Sequence, residues 1–510
     1  MIREAADVAI VGSGFAGSLM ALILERQGRR VILLERGCHP RFAIGESSTP
    51  LTNLMLEDLC RRYGLPRLAP LCKYGSWREQ YPDLVCGLKR GFTFFRHAPG
   101  REYVPHADHA NELLVAANPS EDLGDTQWLR EQIDHFLVRE VRAAGIPYWD
   151  KVQLDEIEHR DGWTLRGNRQ GDGGVEISAK FLIDASGSPS VLARALDIDV
   201  SPTGLLTESR SLYTHFTGVA RWSDTIDRTD GWLEDHPYPC DDAVVHHILD
   251  EGWIWVIRFD NGVTSAGLVM HGSAAESAAA VTAEREWSRV LNRYPSVERQ
   301  FRHARAIRPF VRTGRLQRRA ARVAGEDWAM LPHSAYFIDP LLSAGNAHSL
   351  LGIERLALSL EEHWGRLSLK DSLIGYQDAL QREIEFLDRL VHGCYSVWSH
   401  FELLTACLMY YFAGAIYSET RRRTGGARMA DEFLFSHHEP WRRAVVEGCE
   451  TARGLALAGE PSAAAMAAFT RQVAVDIEPY NIAGLCDPDK RNMYPFVEAQ
   501  AVATSRHERR

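Results

Sequence analysis

Residues 7–35 constrain this chain more than any other stretch. Asp7–Val11 is a short apolar strand, Gly12-Ser13-Gly14-Phe15-Ala16-Gly17 follows it directly, Ser18–Gln27 has helical periodicity, and Arg30–Leu34 is a second strand ending at Glu35. Each glycine has a physical reason: Gly12 permits the tight turn, Gly14 lets a pyrophosphate approach the backbone, and Gly17 lets helix pack on strand. The helix start, with Ala16 inside the turn, supplies amides and a partial positive charge. Glu35 stands where an acid can bind ribose hydroxyls. The spacing predicts a dinucleotide-binding βαβ unit, and nothing resembling a second such fingerprint occurs in the chain.

Composition narrows what surrounds this unit. At 510 residues, 45% hydrophobic and 25% charged, the chain fits a globular protein of two to four units. A net charge of −10 argues against nucleic acid, and the short basic run Arg421–Arg423 reads as a solvated helix face. Nine scattered cysteines without a CxxC pair fit a reducing cytoplasm and predict neither disulfides nor a zinc site. The histidines, His97 included, form no triad or metal cluster by spacing. No GxSxG elbow supports hydrolysis. MIREAADVAIVG is no signal peptide, and Leu403–Tyr417 is too short for a membrane span and reads as a buried helix.

Farther along, Lys180–Ile183 is a strand running into Asp184-Ala185-Ser186-Gly187. Trp328–Leu331 is another, followed by a loop with Asp339-Pro340 and a helix beginning near Asn346. Ser211–Val219, Val244–Leu249 and Trp253–Phe259 alternate like strands of an antiparallel sheet, and from Ile353 onward the pattern is mostly helical. The expected architecture is α/β: a nucleotide-binding module over 1–360, interleaved with an antiparallel sheet at about 65–120 and 205–310, then a helical region over 361–510 covering the substrate site.

Val85–His97 reads as one strand that puts Lys89 on the face of Gly91, Thr93 and Phe95, opposite Arg90 and Phe92. Lys89 is either an ordinary solvated charge or an ammonium held among apolar neighbours for chemistry.

Several segments together resemble the FAD-dependent monooxygenase-like flavoproteins with the glutathione-reductase type of fold: GSGFAG ending at Glu35, Trp128–Asp134 with Arg130, LIDASG at 182–187, and the loop at 332–345. Within them the chain looks most like the flavin-dependent halogenases, through HPRFAIGESSTP at 39–50, GWIWVI at 252–257, FIDPLLSAG at 337–345, and Lys89 where that family has its catalytic lysine. The resemblance implies FAD contacts at Gly12, Gly14, Ala16, Gly17, Glu35, Arg36, Arg41, Gly45, Glu46, Ser47, Arg130, Asp184, Gly187, Asp339, Pro340 and Gly345. It implies a chloride or bromide held by amides of Ser343, Ala344 and Gly345, a flavin-side wall of Trp253 and Trp255, and no metal.

The implied reaction uses FADH2 from a separate flavin reductase, with O2 and halide, to make hypohalous acid that Lys89 directs to an aromatic small molecule. That substrate is free or carrier-bound, and the enzyme a cytoplasmic monomer or homodimer. Three departures stand out: Pro332-His333 replaces the Gly-Asp of related hydroxylases, Arg258 replaces a proline, and Leu342 replaces the glutamate of tryptophan halogenases. The last resembles the branch acting on phenolic or pyrrole-type substrates. Glu46 reads equally as a helix N-terminal acid, Trp253 and Trp255 as core, and Phe401–Tyr417 with Tyr395 and Trp398 as core or substrate cover. Glu354 reads as a structural pair. An aromatic hydroxylase, passing oxygen directly to the ring, is the alternative reading.

Overall fold

In the strand Ile2–Val11, Val8, Ala9 and Ile10 are all fully buried, so alternation is lost at its C-terminal end. A strand buried on both faces belongs inside a parallel sheet, and this one lies between Val31–Leu34 and Gly173–Asp184, parallel to both. Tyr148–Trp149 and Trp328–Met330 add further parallel pairings, and the hairpin Val152–Arg160/Gly162–Arg169 completes a seven-stranded sheet. The computed structural model describes residues 1–226, 232–272, 281–425 and 431–498. Helix Phe15–Arg26 buries ten of its twelve residues, because Arg130–Ala143 covers one side and Gly345–His363 another. The β-helix-β expectation holds, with the helix starting at Phe15 in the glycine turn.

The second sheet has nine strands and differs from the antiparallel expectation. Gly91–Arg96 runs parallel to Val244–Ile248, and Met493–Tyr494 runs parallel to Glu112–Ala116; the other pairings are antiparallel. The C-terminal region is therefore not helices alone: its last described strand crosses back to the sheet. The stretches 227–231 and 273–280 of the interleaved region lie outside the described residues, as does 499–510.

Val85–His97 is not one strand. Cys86–Lys89 pairs with Asp125–Trp128 in a two-stranded sheet, while Gly91–Arg96 belongs to the nine-stranded one. Arg90 is the joint: its amide donates to Asp242 O at 2.6 Å and its carbonyl accepts from Ala117 N at 2.8 Å. A two-residue period cannot reveal such a change of partner, since both halves keep extended backbone.

Helices Ser368–Ser396, Phe401–Arg423, Glu439–Leu457 and Ala463–Ile477 make up most of the C-terminal region. Phe401–Arg423 is long and apolar enough to cross a membrane by length and composition, and 78% of its most apolar window is buried inside the protein. Arg421–Arg423 is not simply a solvated face: Arg422 clamps both Asp58 and Glu354, joining three helices, which gives Glu354 the structural pairing expected of it. All nine cysteines are free. Two of the histidines, unreadable by spacing, are brought into one ligand-like group with a carboxylate: His109 and His236 with Glu112.

Glu383 is the ionic anchor of this region. Its fully buried carboxylate accepts from Arg355 at 2.6 Å, His348 at 3.0 Å and Phe433 N at 2.6 Å. Burial alone pushes its pKa up, but Arg355 and His348 outweigh it and hold it down at about 2. The native state therefore favours the charged form. Its contribution to stability is complete above the unfolded carboxyl value of about 4.3 and is lost as pH falls toward 2. Glu383→Leu leaves Arg355 buried without its anion and is expected to cost about 3–5 kcal/mol, read as a lower denaturation midpoint with a flattened pH dependence below pH 4.

Candidate active site

The glycine turn is shaped by close approach. Gly12 has φ +106°, and a Cβ there would lie 2.2 Å from Ala185 O; a Cβ at Gly17 would lie 1.9 Å from Gly12 O. At Gly14 a Cβ would meet no backbone and only side-chain atoms at ordinary contact: Arg130 Nη2 at 3.6 Å, Asp134 Oδ2 at 3.7 Å and Arg41 Nη2 at 3.9 Å. Two guanidinium groups thus face the turn where the amides of Ala16 and Gly17 open the helix. The amide of Phe15 is already taken by Asp134 Oδ1 at 3.2 Å. Glu35 accepts from Ser13 N, Ser13 Oγ and Gly37 N, with Arg41 at 3.4 Å. Burial raises its pKa, and Arg41 with these donors more than reverses that, so it stays ionised. The cradle fits a dinucleotide: no backbone close above Gly14, the Arg41–Glu35 and Arg130–Asp134 pairs beside it, and an acid at the strand end. Arg36, expected at this site, is exposed.

The 44–47 loop is clasped from two sides. Arg130 donates to Ile44 O at 2.7 Å and Gly45 O at 3.3 Å while its other nitrogens pair with Asp134. Asn346 donates to Gly45 O at 3.2 Å and Ser47 O at 3.1 Å. Gly45 has φ +93°, and a Cβ there would meet Arg130 at 3.1 Å. Asn346, legible in sequence only as a helix start, turns out to tie the late loop to this one.

Lys89 is fully buried. Its Nζ donates to Ser47 Oγ and Ser48 O, both at 2.7 Å, and sits 4.1 Å above the Phe92 ring. Directly across the two-stranded sheet is Asp125, also buried, whose Oδ1 accepts from Asn53 at 2.8 Å and whose Oδ2 has no protein partner. Burial drives the Lys89 pKa below its ordinary value and the Asp125 pKa above its own; each charge opposes the other's shift. Asp125 was missed in the sequence because only strand register sets it opposite Lys89.

Other buried groups here are unmet: both polar atoms of the Gln127 side chain, Glu46 Oε2 and His215 Nδ1. Glu46 Oε1 pairs with His215 Nε2 at 2.8 Å, so Glu46 caps no helix. Such a concentration of unsatisfied groups is foreign to a packed core.

Above Lys89 rises an aromatic wall. Phe92 and Phe94 stack with His246, the latter pair 4.4 Å apart, and His246 lies 5.2 Å from Trp253. Tyr411 and Phe412 of helix Phe401–Arg423 set their edges on Phe92. Trp253 and Trp255 share one strand face, 6.0 Å apart and buried. Trp255 lies flat over Gly267, where a Cβ would meet it at 2.2 Å. Trp253 Nε1 donates to Tyr395 Oη at 3.0 Å, and Tyr395 donates to Asp339 Oδ1 at 2.8 Å. Trp398 donates instead to Leu249 O. Arg258, in place of a proline, donates to Val219 O and Ala220 O.

Three expected contacts are redirected. Asp184 turns inward and accepts from Ser186 N, Ser186 Oγ, Ser190 Oγ and Leu192 N. Asp339 is held by Ser209, Leu341 N and Tyr395, so its carboxylate braces the loop from behind. The Ser343 amide donates to Pro340 O at 3.0 Å, in a turn that puts Ser343 at φ +50°; of the three expected halide donors, Ala344 and Gly345 remain at the start of helix Gly345–His363. A Cβ on Gly345 would meet nothing. Gly187, at φ +75°, donates to Ser334 Oγ. His333 Nε2 donates to Ala185 O at 3.1 Å, which leaves Nδ1 as a buried acceptor; burial holds the ring neutral, with its pKa at about 4.

Comparison with known proteins agrees with this geometry. Residues 7–326 match the FAD dependent oxidoreductase family. Tetracycline 7-halogenase of Kitasatospora aureofaciens is 32% identical over 404 residues, covering 78% of this chain and 71% of its own. Monodechloroaminopyrrolnitrin halogenase PrnC of Pseudomonas fluorescens is 30% identical over 83% of this chain and 73% of its own. In fold, the chain matches halogenase PltM, solved with phloroglucinol and FAD, at a TM-score of 0.85 and 23% identity over 96% of this chain and 99% of that one. The glycine cradle, the clasped 44–47 loop and these relatives converge: the chain belongs to the FAD-dependent oxidoreductases and, among them, to the flavin-dependent halogenases.

Proposed function

We propose that this enzyme halogenates an electron-rich, phenolic aromatic substrate, with Lys89 delivering the halogen. The observation that carries the reading is the buried amino group of Lys89 against an aromatic wall, its neighbours Ser47 and Ser48 lying on the same loop that Arg130 and Asn346 clasp. FAD, reduced by a separate reductase, supplies with O2 and chloride or bromide the oxidising equivalent for hypohalous acid. Gly14 would admit its pyrophosphate, with Gly12 and Gly17 holding the turn close to Ala185; Arg41 and Arg130 would stand beside it, and His333 Nδ1 would offer the acceptor that an acid provides in related hydroxylases. Ala344 and Gly345 present amides to the halide.

Lys89 holds the hypohalous acid by its third N–H, the other two being occupied by Ser47 and Ser48. As the ring carbon takes the halogen, the halogen–oxygen bond breaks and the lysine proton passes to the oxygen, releasing water. The ring then returns its own proton to the lysine amine. A phenol fits this step because its hydroxyl already enriches the ring. Leu342, buried, stands where tryptophan halogenases carry a glutamate, and the fold neighbour PltM was solved with phloroglucinol, a polyphenol.

The test supplies protein, a flavin reductase, O2, a panel of phenols and one halide at a time. A halide-dependent mass shift of one halogen supports the reading; hydroxylated product without halogen overturns it.

Asp125 makes the role of Lys89 measurable. A donating ammonium exists below the lysine pKa, so activity is expected to fall as pH rises through it. Asp125→Asn removes the charge that opposes desolvation, lowers that pKa further, and is expected to shift the alkaline limb of kcat/KM by at least about one pH unit toward acid. A limb that stays in place, or activity that extends toward low pH, would show that the neutral amine is the working form.

A further inference from the structure

We propose that His109, Glu112 and His236 form a zinc site, separate from the flavin cradle, that ties the C-terminal strand to the nine-stranded sheet. The ligand atoms of these three residues all lie within 4.8 Å of one another. His109 Nδ1 is 2.5 Å and His236 Nε2 3.5 Å from the same oxygen, Glu112 Oε1. Zinc bonds of about 2 Å place tetrahedral ligand atoms about 3.3 Å apart, so small side-chain adjustments suffice. Two imidazoles and one carboxylate are a borderline-soft set suited to that ion, with a fourth position left for water.

Two further observations point to a metal rather than to a hydrogen-bonded cluster alone. The His236 side chain is 1% exposed, yet its Nδ1 has no partner and its Nε2 has only the long 3.5 Å contact to Glu112. A solvent-shielded imidazole with one nitrogen unmet and the other at a long contact is a poor structural element and a prepared ligand. The surrounding groups are also placed as outer supports. His109 Nε2 donates to Asp235 Oδ2 at 3.1 Å, the carboxylate–histidine arrangement that orients a metal-bound ring, while Tyr103 Oη and Trp232 Nε1 donate to Glu112. Zinc takes imidazole ligands in their deprotonated form, so binding weakens as pH falls.

The site lies far from Lys89. Glu112 is paired with Phe95, six residues beyond Lys89 and about 20 Å along extended chain. Its position explains what the metal would do. Asn492 donates to His109 O at 3.1 Å and Arg491 to Asp235 at 2.9 Å, immediately before the strand Met493–Tyr494. Holding His109 and His236 together therefore also fixes the anchor points of the C-terminal strand.

The experiment uses full-length protein, stripped with chelator and reloaded with Zn2+ alone. Wild type is expected to retain about one equivalent after gel filtration, to release protons on loading, and to gain a few degrees in Tm. His236→Ala removes only the long 3.5 Å contact to Glu112 and is expected to lose both the bound equivalent and the Tm gain. Glu112→Gln serves as a second variant, and Co2+-loaded wild type is expected to show the visible absorption of a four-coordinate site. Wild type that retains no zinc overturns the proposal, and so does His236→Ala retaining the full equivalent.

Discussion

Lys89→Ala is expected to lower halogenated product about 10²–10⁴-fold, the range of a positioned proton donor, while FAD affinity stays within a factor of two. The separation follows from geometry. Lys89 meets the cofactor side only through Ser47 and Ser48, whereas the glycine turn, Arg41 and Arg130 lie on other elements. Lys89→Met keeps the buried volume and removes the donor, and is expected to behave like alanine with less loss of stability. Lys89→Arg is expected to fail as well, because a planar guanidinium cannot meet the same two acceptors as a point charge and cannot cycle its proton. A soluble scavenger of hypohalous acid sharpens the test: the Lys89 variants should still consume reduced FAD and O2, with oxidant appearing in the scavenger and not in the phenol. Wild-type product from Lys89→Met would remove the lysine from the mechanism.

Gly17→Ala is expected to raise the FAD dissociation constant at least tenfold and to lower Tm. The new Cβ would lie 1.9 Å from Gly12 O and 3.0 Å from the Ala185 side chain, so helix Phe15–Arg26 must move off the strand, an overpacking cost of about 1–3 kcal/mol or more. Gly14→Ala is the informative partner. Its Cβ meets no protein atom closer than 3.6 Å, so the fold should tolerate it, yet the methyl occupies the pyrophosphate approach. FAD affinity should fall with Tm of the FAD-free protein unchanged. Equal stability losses in both variants would mean that the space above Gly14 is packing room and not a ligand path.

Residues 7–35 show how much was readable from the chain. A βαβ turn is local, set by neighbours within 30 residues, and the structure bears out its strand–helix–strand order, although the helix starts at Phe15 and not at Ser18. Lys89 could be singled out but not decided, because its solvation depends on Ser47, Ser48, Phe92 and Asp125 together. Asp184 and Asp339 illustrate the opposite failure. Both carboxylates occupy the expected loops, yet each turns inward to satisfy amides and hydroxyls that sequence order does not pair with it. Likewise, the extended pattern of 85–97 conceals a change of sheet at Arg90.

What the sequence by itself determined was periodicity and local backbone demand: the nucleotide-binding unit, the alternating strands, the helical C-terminal region and the motif positions. What only the tertiary structure decided was which buried polar group faces which. Asn346 reaches the 44–47 loop, Asp125 stands across from Lys89, Tyr395 links Trp253 to Asp339, and His236 closes on Glu112. The reason is physical: hydrophobic pattern is a property of neighbouring residues, whereas the desolvation and partnering of a charge are set by atoms that folding brings together from distant parts of the chain.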